Sequence, residues 1–207
     1  VLQLLECINE DGQELAARHN WQVLTNESSF TTVATESQGS ILTLAGADFS
    51  FVINNTLWNR TQRRPIFGPK SSQQWQELKA QFSSGPWVQY RIRGNNVLFF
   101  PTPSAGQSVF FEWCSKNWCT DVTGVTGRSA FTADTDVSKL DERIHTLGAV
   151  WRFKQKNSLP YDEDFNSYEA AVADAIGRDG SQPILSLGGQ PDSIPPFVIV
   201  PAGNWMQ

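Results

Sequence analysis

The sequence predicts an α+β protein: a helical bundle interrupted by an antiparallel β-rich insert and followed by an extended C-terminal tail. Three observations carry this. Apolar residues recur at helical spacing near the start of the chain and again after residue 138. Between them, apolar and polar residues alternate in short runs closed by Gly, Asn and Pro. The last stretch keeps one charge, Asp192, and fills with Gly, Pro and Ser.

The elements follow in order. Residues 2–20 read as a helix, with Leu5, Ile8 and Leu15 on one side and Glu6, Glu10, Glu14 and Arg18 on the other. Residues 30–34 and 41–44 are short β candidates. Residues 49–58 read as a strand with Phe49, Phe51 and Ile53 on one face. Residues 71–83 form a short helix, capped by Ser71 or Ser72 and stopped by Gly85-Pro86. Val88, Tyr90 and Ile92 alternate with Gln89, Arg91 and Arg93, and Gly94-Asn95-Asn96 turns the chain into 97–100. Another strand follows over 109–113. From Ser138 the period is helical: Leu140, Ile144, Leu147 and Trp151 share a stripe. Residues 157–160 break that helix. The next one opens with Asp162, Glu163 and Asp164, where negative charge suits the helix dipole. Its stripe is Phe165, Tyr168, Val172 and Ile176. Two helices with a short link make an antiparallel hairpin.

This gives a bundle from residues 1–22 and 137–180, an insert over 23–136, and an arm over 181–207. The expected bundle core is Leu5, Ile8, Leu15, Leu140, Ile144, Leu147, Trp151, Phe165, Tyr168, Val172 and Ile176. The arm carries an apolar run, Ile194, Pro195, Pro196, Phe197, Val198, Ile199 and Val200, which reads as a segment built to lie on another surface.

The 207 residues suffice for one large domain or two lobes sharing a core. Eight tryptophans and thirteen phenylalanines point to extensive packing, within a core or between subunits. The net charge of −5 argues against tight phosphate binding, which needs Lys and Arg to release counterions. A weakly acidic lining suits DNA that must slide past. Cys7, Cys114 and Cys119 show no C-x-x-C spacing and read as small buried hydrophobes of a chain folded in a reducing cytoplasm. No apolar run reaches the roughly 18 residues that span a bilayer. No basic n-region followed by an apolar h-region opens the chain. The sequons at Asn26, Asn54 and Asn59 read as chance matches.

Catalytic signatures are sparse. His19 and His145 stand alone, and no spacing suits a metal. There is no nucleophile elbow, phosphate loop or dinucleotide turn. Asp134, Asp136, Asp141 and Glu142 form one acidic cluster. Cap formation explains it best, with Ser138 as cap and Asp141 three residues on. Arg60, Arg63, Arg64, Arg91 and Arg93 would stack on single strands or pair with acids, and the acidic net charge favours pairing. Two other readings compete: a β-sandwich module binding sugar or peptide on a platform of Trp75, Trp87, Trp113 and Trp118, and a hydrolase using Asp134 and Asp136.

The order of motifs resembles a known family. Leu4-Leu5, Asn9-Glu10, Gly12, Glu14-Leu15-Ala16 and Arg18-His19-Asn20-Trp21 open the chain. Asn54-Asn55-Thr56-Leu57-Trp58-Asn59-Arg60-Thr61 and Arg64-Pro65-Ile66-Phe67-Gly68-Pro69 follow. Then come Phe131-Thr132-Ala133-Asp134, Leu159-Pro160-Tyr161 and Arg178-Asp179-Gly180. This is similar to the head-to-tail adaptors of tailed bacteriophages, including the tail-tubular-A-like group of short-tailed phages. The resemblance implies a structural virion protein at the head–tail junction, not an enzyme, with no cofactor. It implies a ring, commonly of about twelve copies, docked beneath the portal and passing DNA through its channel. Its partners would be other copies of itself, the portal protein, a downstream tail or nozzle protein, and passing DNA. The tail 194–200 would grip the portal, with Phe197 as anchor.

Overall fold

The computed structural model describes residues 2–80 and 87–180. Helix α1 spans Leu2–Arg18, and a single 3-10 turn at Gln22–Leu24 leads into strand β1, Thr25–Thr31. Strand β2 is Ser37–Ser40. Residues 41–44, expected as a strand, form one helical turn instead, α2 (Ile41–Leu44). Its Ile41 is buried in the β-lobe core, and the amides of Ala45 and Gly46 bond back to the carbonyls of Ile41 and Leu42. Four residues are too few for propensity to decide, and burial of one side chain sets the conformation.

Strand β3 covers only Phe49–Val52, and β4 is a separate pair, Trp58–Asn59. The expected run over 49–58 is broken between them, where Asn55 takes a left-handed φ of 65°. A register shift between Phe49 and Phe51 also cancels the expected alternation, so Val52 is buried and Phe51 faces out. Strand β5, Arg64–Pro65, pairs with β4. Helix α3, Ser72–Ala80, starts with a reciprocal cap: Ser71 Oγ accepts from the Gln74 amide, and Gln74 Oε1 accepts from the Ser71 amide. Trp75 is its buried anchor.

Strands β6 (Gln89–Arg93) and β7 (Asn96–Phe100) form the expected hairpin, with Gly94 and Asn95 both at positive φ. β8, Ser108–Ser115, is the longest strand. Short strands β9 (Cys119–Thr120), β10 (Gly127–Arg128) and β11 (Val137–Ser138) follow. Helix α4 is Glu142–Lys156 and α5 is Asp162–Arg178.

The paired strands are antiparallel throughout the three sheets. In the first, β8 lies between β1 and β4, β5 extends the β4 edge, and β3 also pairs with β8. In the second the order is β2-β7-β6, and in the third β10-β9-β11. Side chains from the first two sheets share one core: Val52, Leu57, Tyr90, Val97, Phe99 and Phe111 among them. A second core joins the helices and contains Leu15, Leu140, Ile144, Trp151, Tyr168 and Val172. Leu147, Phe165 and Ile176 pack against it half-buried. Leu5 and Ile8, expected in this core, are half-buried and stand outside that cluster. Strand residues Cys114 and Cys119, and Trp118 in the link between their strands, belong to it instead.

Trp151 sits between Phe165, at a ring distance of 5.2 Å, and Tyr168, at 5.9 Å. Trp151→Ala should cost about 3–5 kcal/mol, read by urea unfolding. A loss under about 0.5 kcal/mol would be that of a surface site.

Candidate assembly faces on the helical lobe

Helix α1 meets the α4–α5 hairpin around a fully buried carboxylate, Asp11. A buried charge persists only with close partners. His145 Nδ1 lies 2.9 Å from Asp11 Oδ2, and Arg152 Nε lies 3.5 Å from Oδ1. A carboxylate accepts, so Nδ1 of the ring carries the hydrogen. The chain of charge continues outward: Arg152 donates to Glu14, and Arg18 donates to Glu14 and, at 2.7 Å, to Glu169 on α5. Burial alone would raise the Glu14 carboxyl, but hydrogen bonds from Arg152 and Arg18 hold it below its ordinary 4.5.

Two glycines make this junction possible. A Cβ at Gly148 would stand 2.1 Å from Asp11 Oδ1, and one at Gly12 would stand 2.3 Å from the Trp118 ring. Both helices therefore approach their neighbours with bare backbone. Trp118 stacks near His145 at 5.3 Å and donates through Nε1 to the Ser129 carbonyl. Asn9 clamps the loop before β11 from both sides: its Nδ2 donates to the Phe131 carbonyl, and its Oδ1 accepts from the Phe131 amide at 2.7 Å.

A groove of about 630 Å³ runs along the outer side of α1 and α4. Leu4, Ile8, Ala149, Val150, Phe153 and Leu159 line it, and His145 forms part of its wall. Asp136, Glu142 and Lys154 are its charged lining residues. Leu4, Val150 and Leu159 keep 46%, 38% and 49% of their surface exposed. Apolar side chains gathered in one exposed groove mark a surface that meets another molecule. On the other side of α1 lies a second recess of about 390 Å³, bounded by Gln13, Ala16, Ala17, Phe51 and Lys116.

The other sequence candidates resolve individually. The tail residues 194–200 lie outside the described residues. Asp141, not Ser138, caps α4: its Oδ1 accepts from the Arg143 amide at 2.8 Å. Ser138 Oγ accepts instead from the Leu140 amide, one step upstream. Asp136 takes two bonds from Arg128 and accepts from the amides of Thr132 and Ala133, so it closes a loop. Arg60 pairs with Glu27 and lies 3.6 Å over the Phe110 ring, while Arg64 lies 5.7 Å from the centre of Trp87. Trp75, Trp113 and Trp118 are buried, which removes the proposed stacking platform. All three cysteines are buried and free. No helix among the described residues is long and apolar enough to cross a membrane.

A family model for the SU10 adaptor protein matches residues 1–187. The chain belongs to the SU10 adaptor protein family. The match spans both cores, the Asp11 junction and both flanks of α1. This phage adaptor family has a structural role in the virion, joining head and tail, and its members work by contact with other head and tail proteins. No curated protein matches the chain. The Asp11 network was not legible beforehand. Its signal was present as Asp11 and Gly12 on the apolar side of a helix, and Gly148 and Arg152 on that of another.

Asp11→Ala leaves the buried His145 Nδ1 without its acceptor and the buried Arg152 with Glu14 alone, and should cost about 3–5 kcal/mol in urea unfolding. Glu14 has a lowered folded value, so its contribution is present above pH 4.5 and is lost as pH falls through the folded value. Glu14→Gln should flatten the acid limb of a stability–pH curve below pH 4.5.

Proposed function

We propose that the protein forms a ring that joins the phage portal to the tail and passes DNA through its channel. The family match over residues 1–187 carries this reading. The fold supports it. The helical lobe is held rigid by a buried ionic junction, and it carries apolar recesses on two sides. A ring needs heterologous contacts that close at one angle, and a rigid lobe with distinct faces supplies them. The narrower likeness, to tail-tubular-A-like adaptors of short-tailed phages, rests on the order of sequence motifs.

In this reading about twelve copies stand beneath the portal. The apolar run Ile194–Val200, with Phe197 at its centre, supplies the grip on the portal, and the β lobe faces the downstream tail or nozzle protein. DNA passes a weakly acidic lining, which does not hold it. The place of action is the head–tail junction of the virion.

Native mass spectrometry with and without the cognate portal ring tests this. The full chain should add to the portal in many copies. Deleting residues 191–207 should remove portal binding and leave the far-ultraviolet circular dichroism unchanged. Normal binding by the truncated chain would overturn the role of the tail. A full chain that ignores the portal would overturn the adaptor ring.

A further inference from the structure

The two recesses beside α1 differ in chemistry and in direction. Gln13 and Ala17 stand nine residues beyond Leu4 and Ile8. At 3.6 residues per turn, nine residues are two and a half turns. The recess bearing Phe51 and Lys116 therefore faces away from the groove of Leu4 and Ile8, across the width of one helix. A contact between unlike, opposed faces is what a closed ring requires, since like faces pair only into dimers.

The faces are also complementary. The groove is lined mainly by apolar side chains; of the charged residues bordering it, Lys154 is paired with Asp164 and Asp136 with Arg128, which leaves Glu142 as its unpaired charge. The opposite flank presents Phe51, 39% exposed, with Lys116 beside it. Both charged side chains are exposed, and none of the ion pairs among the described residues uses either of them. The exposure of Phe51 has its own cause. The register shift between Phe49 and Phe51 turns its ring out of the sheet core. An aromatic ring set outward beside a cation, on a chain with an acid-rimmed apolar groove, is a matched pair of surfaces.

We infer that neighbouring copies meet head to tail through these two flanks of α1. The groove of one copy receives Phe51 of the next, and Glu142 meets Lys116. The inference rests on the ring reading above and names the contact that builds the ring.

Charge reversal tests it. Glu142→Lys gives a copy with two positive faces, and Lys116→Glu gives a copy with two negative faces. Both residues are exposed and both variants should keep the wild-type far-ultraviolet spectrum; Glu142→Lys puts a cation in the first turn of α4 and should lower its melting midpoint only slightly. Assembly on the portal ring is followed by native mass spectrometry across protein concentration. Each variant alone should need at least about tenfold more protein for multi-copy complexes. An equal mixture should recover the wild-type behaviour, because the two variants then alternate. Phe51→Ser should weaken assembly in either background. Multi-copy complexes formed equally well by each single variant would overturn this interface and leave the ring standing. The same holds if the mixture is no better than its components. Failure of the wild type to form any multi-copy complex would overturn both.

Discussion

The buried Asp11 carboxylate is the constraint on which the helical lobe is built. It brings together residues 134 positions apart in the chain, His145 and Asp11. A desolvated charge is costly unless its partners are held in place, so it admits few arrangements of α1 on the hairpin. Gly148 permits the approach and Arg152 compensates the charge. Glu14, Arg18 and Glu169 then carry the pairing to the surface and across to α5. An all-apolar contact between these helices would tolerate sliding. This one sets both the depth and the register of α1.

Strand β8 does the equivalent work between the two cores. Val109, Phe111 and Trp113 point into the β lobe at period two. Its end adds Cys114 to the helical core, and Trp118 and Cys119 follow within a few residues. A single strand thus contributes to both hydrophobic clusters. The lobes are joined by a continuous strand. Force applied to one has a packed path to the other, which suits a part that stands between two larger assemblies.

A structural role fits the way the chain spends its polar groups. Many carboxylates among the described residues cap helices, close loops or pair with arginines and lysines. Asp141 caps α4, Asp136 closes the loop before β11, and Asp11 fixes α1. Part of the exposed apolar surface, from Leu4, Phe51, Val150 and Leu159, borders the two recesses beside α1. The adaptor family, whose role in the virion is structural, fits such a distribution.

The sequence by itself determined the main elements. Helical spacing placed α1, α4 and α5, and alternation placed β6, β7 and β8, because those periods are long enough to outvote local noise. It also carried the family likeness in the order of its motifs. It misread short pieces. Burial decides the turn at Ile41–Leu44, a left-handed residue at Asn55 the break after Val52, and a bulge the face that Phe51 takes, and none of these leaves a period to read. It placed Leu5 and Ile8 in the core because an amphipathic stripe shows which side is apolar, not what covers it. Only the tertiary structure decided that Leu15 faces the hairpin while Ile8 faces an open groove, and that Phe51 points outward. It alone put Asp11 beside His145 and Arg152, because desolvation of that carboxylate depends on helices that meet from opposite ends of the chain.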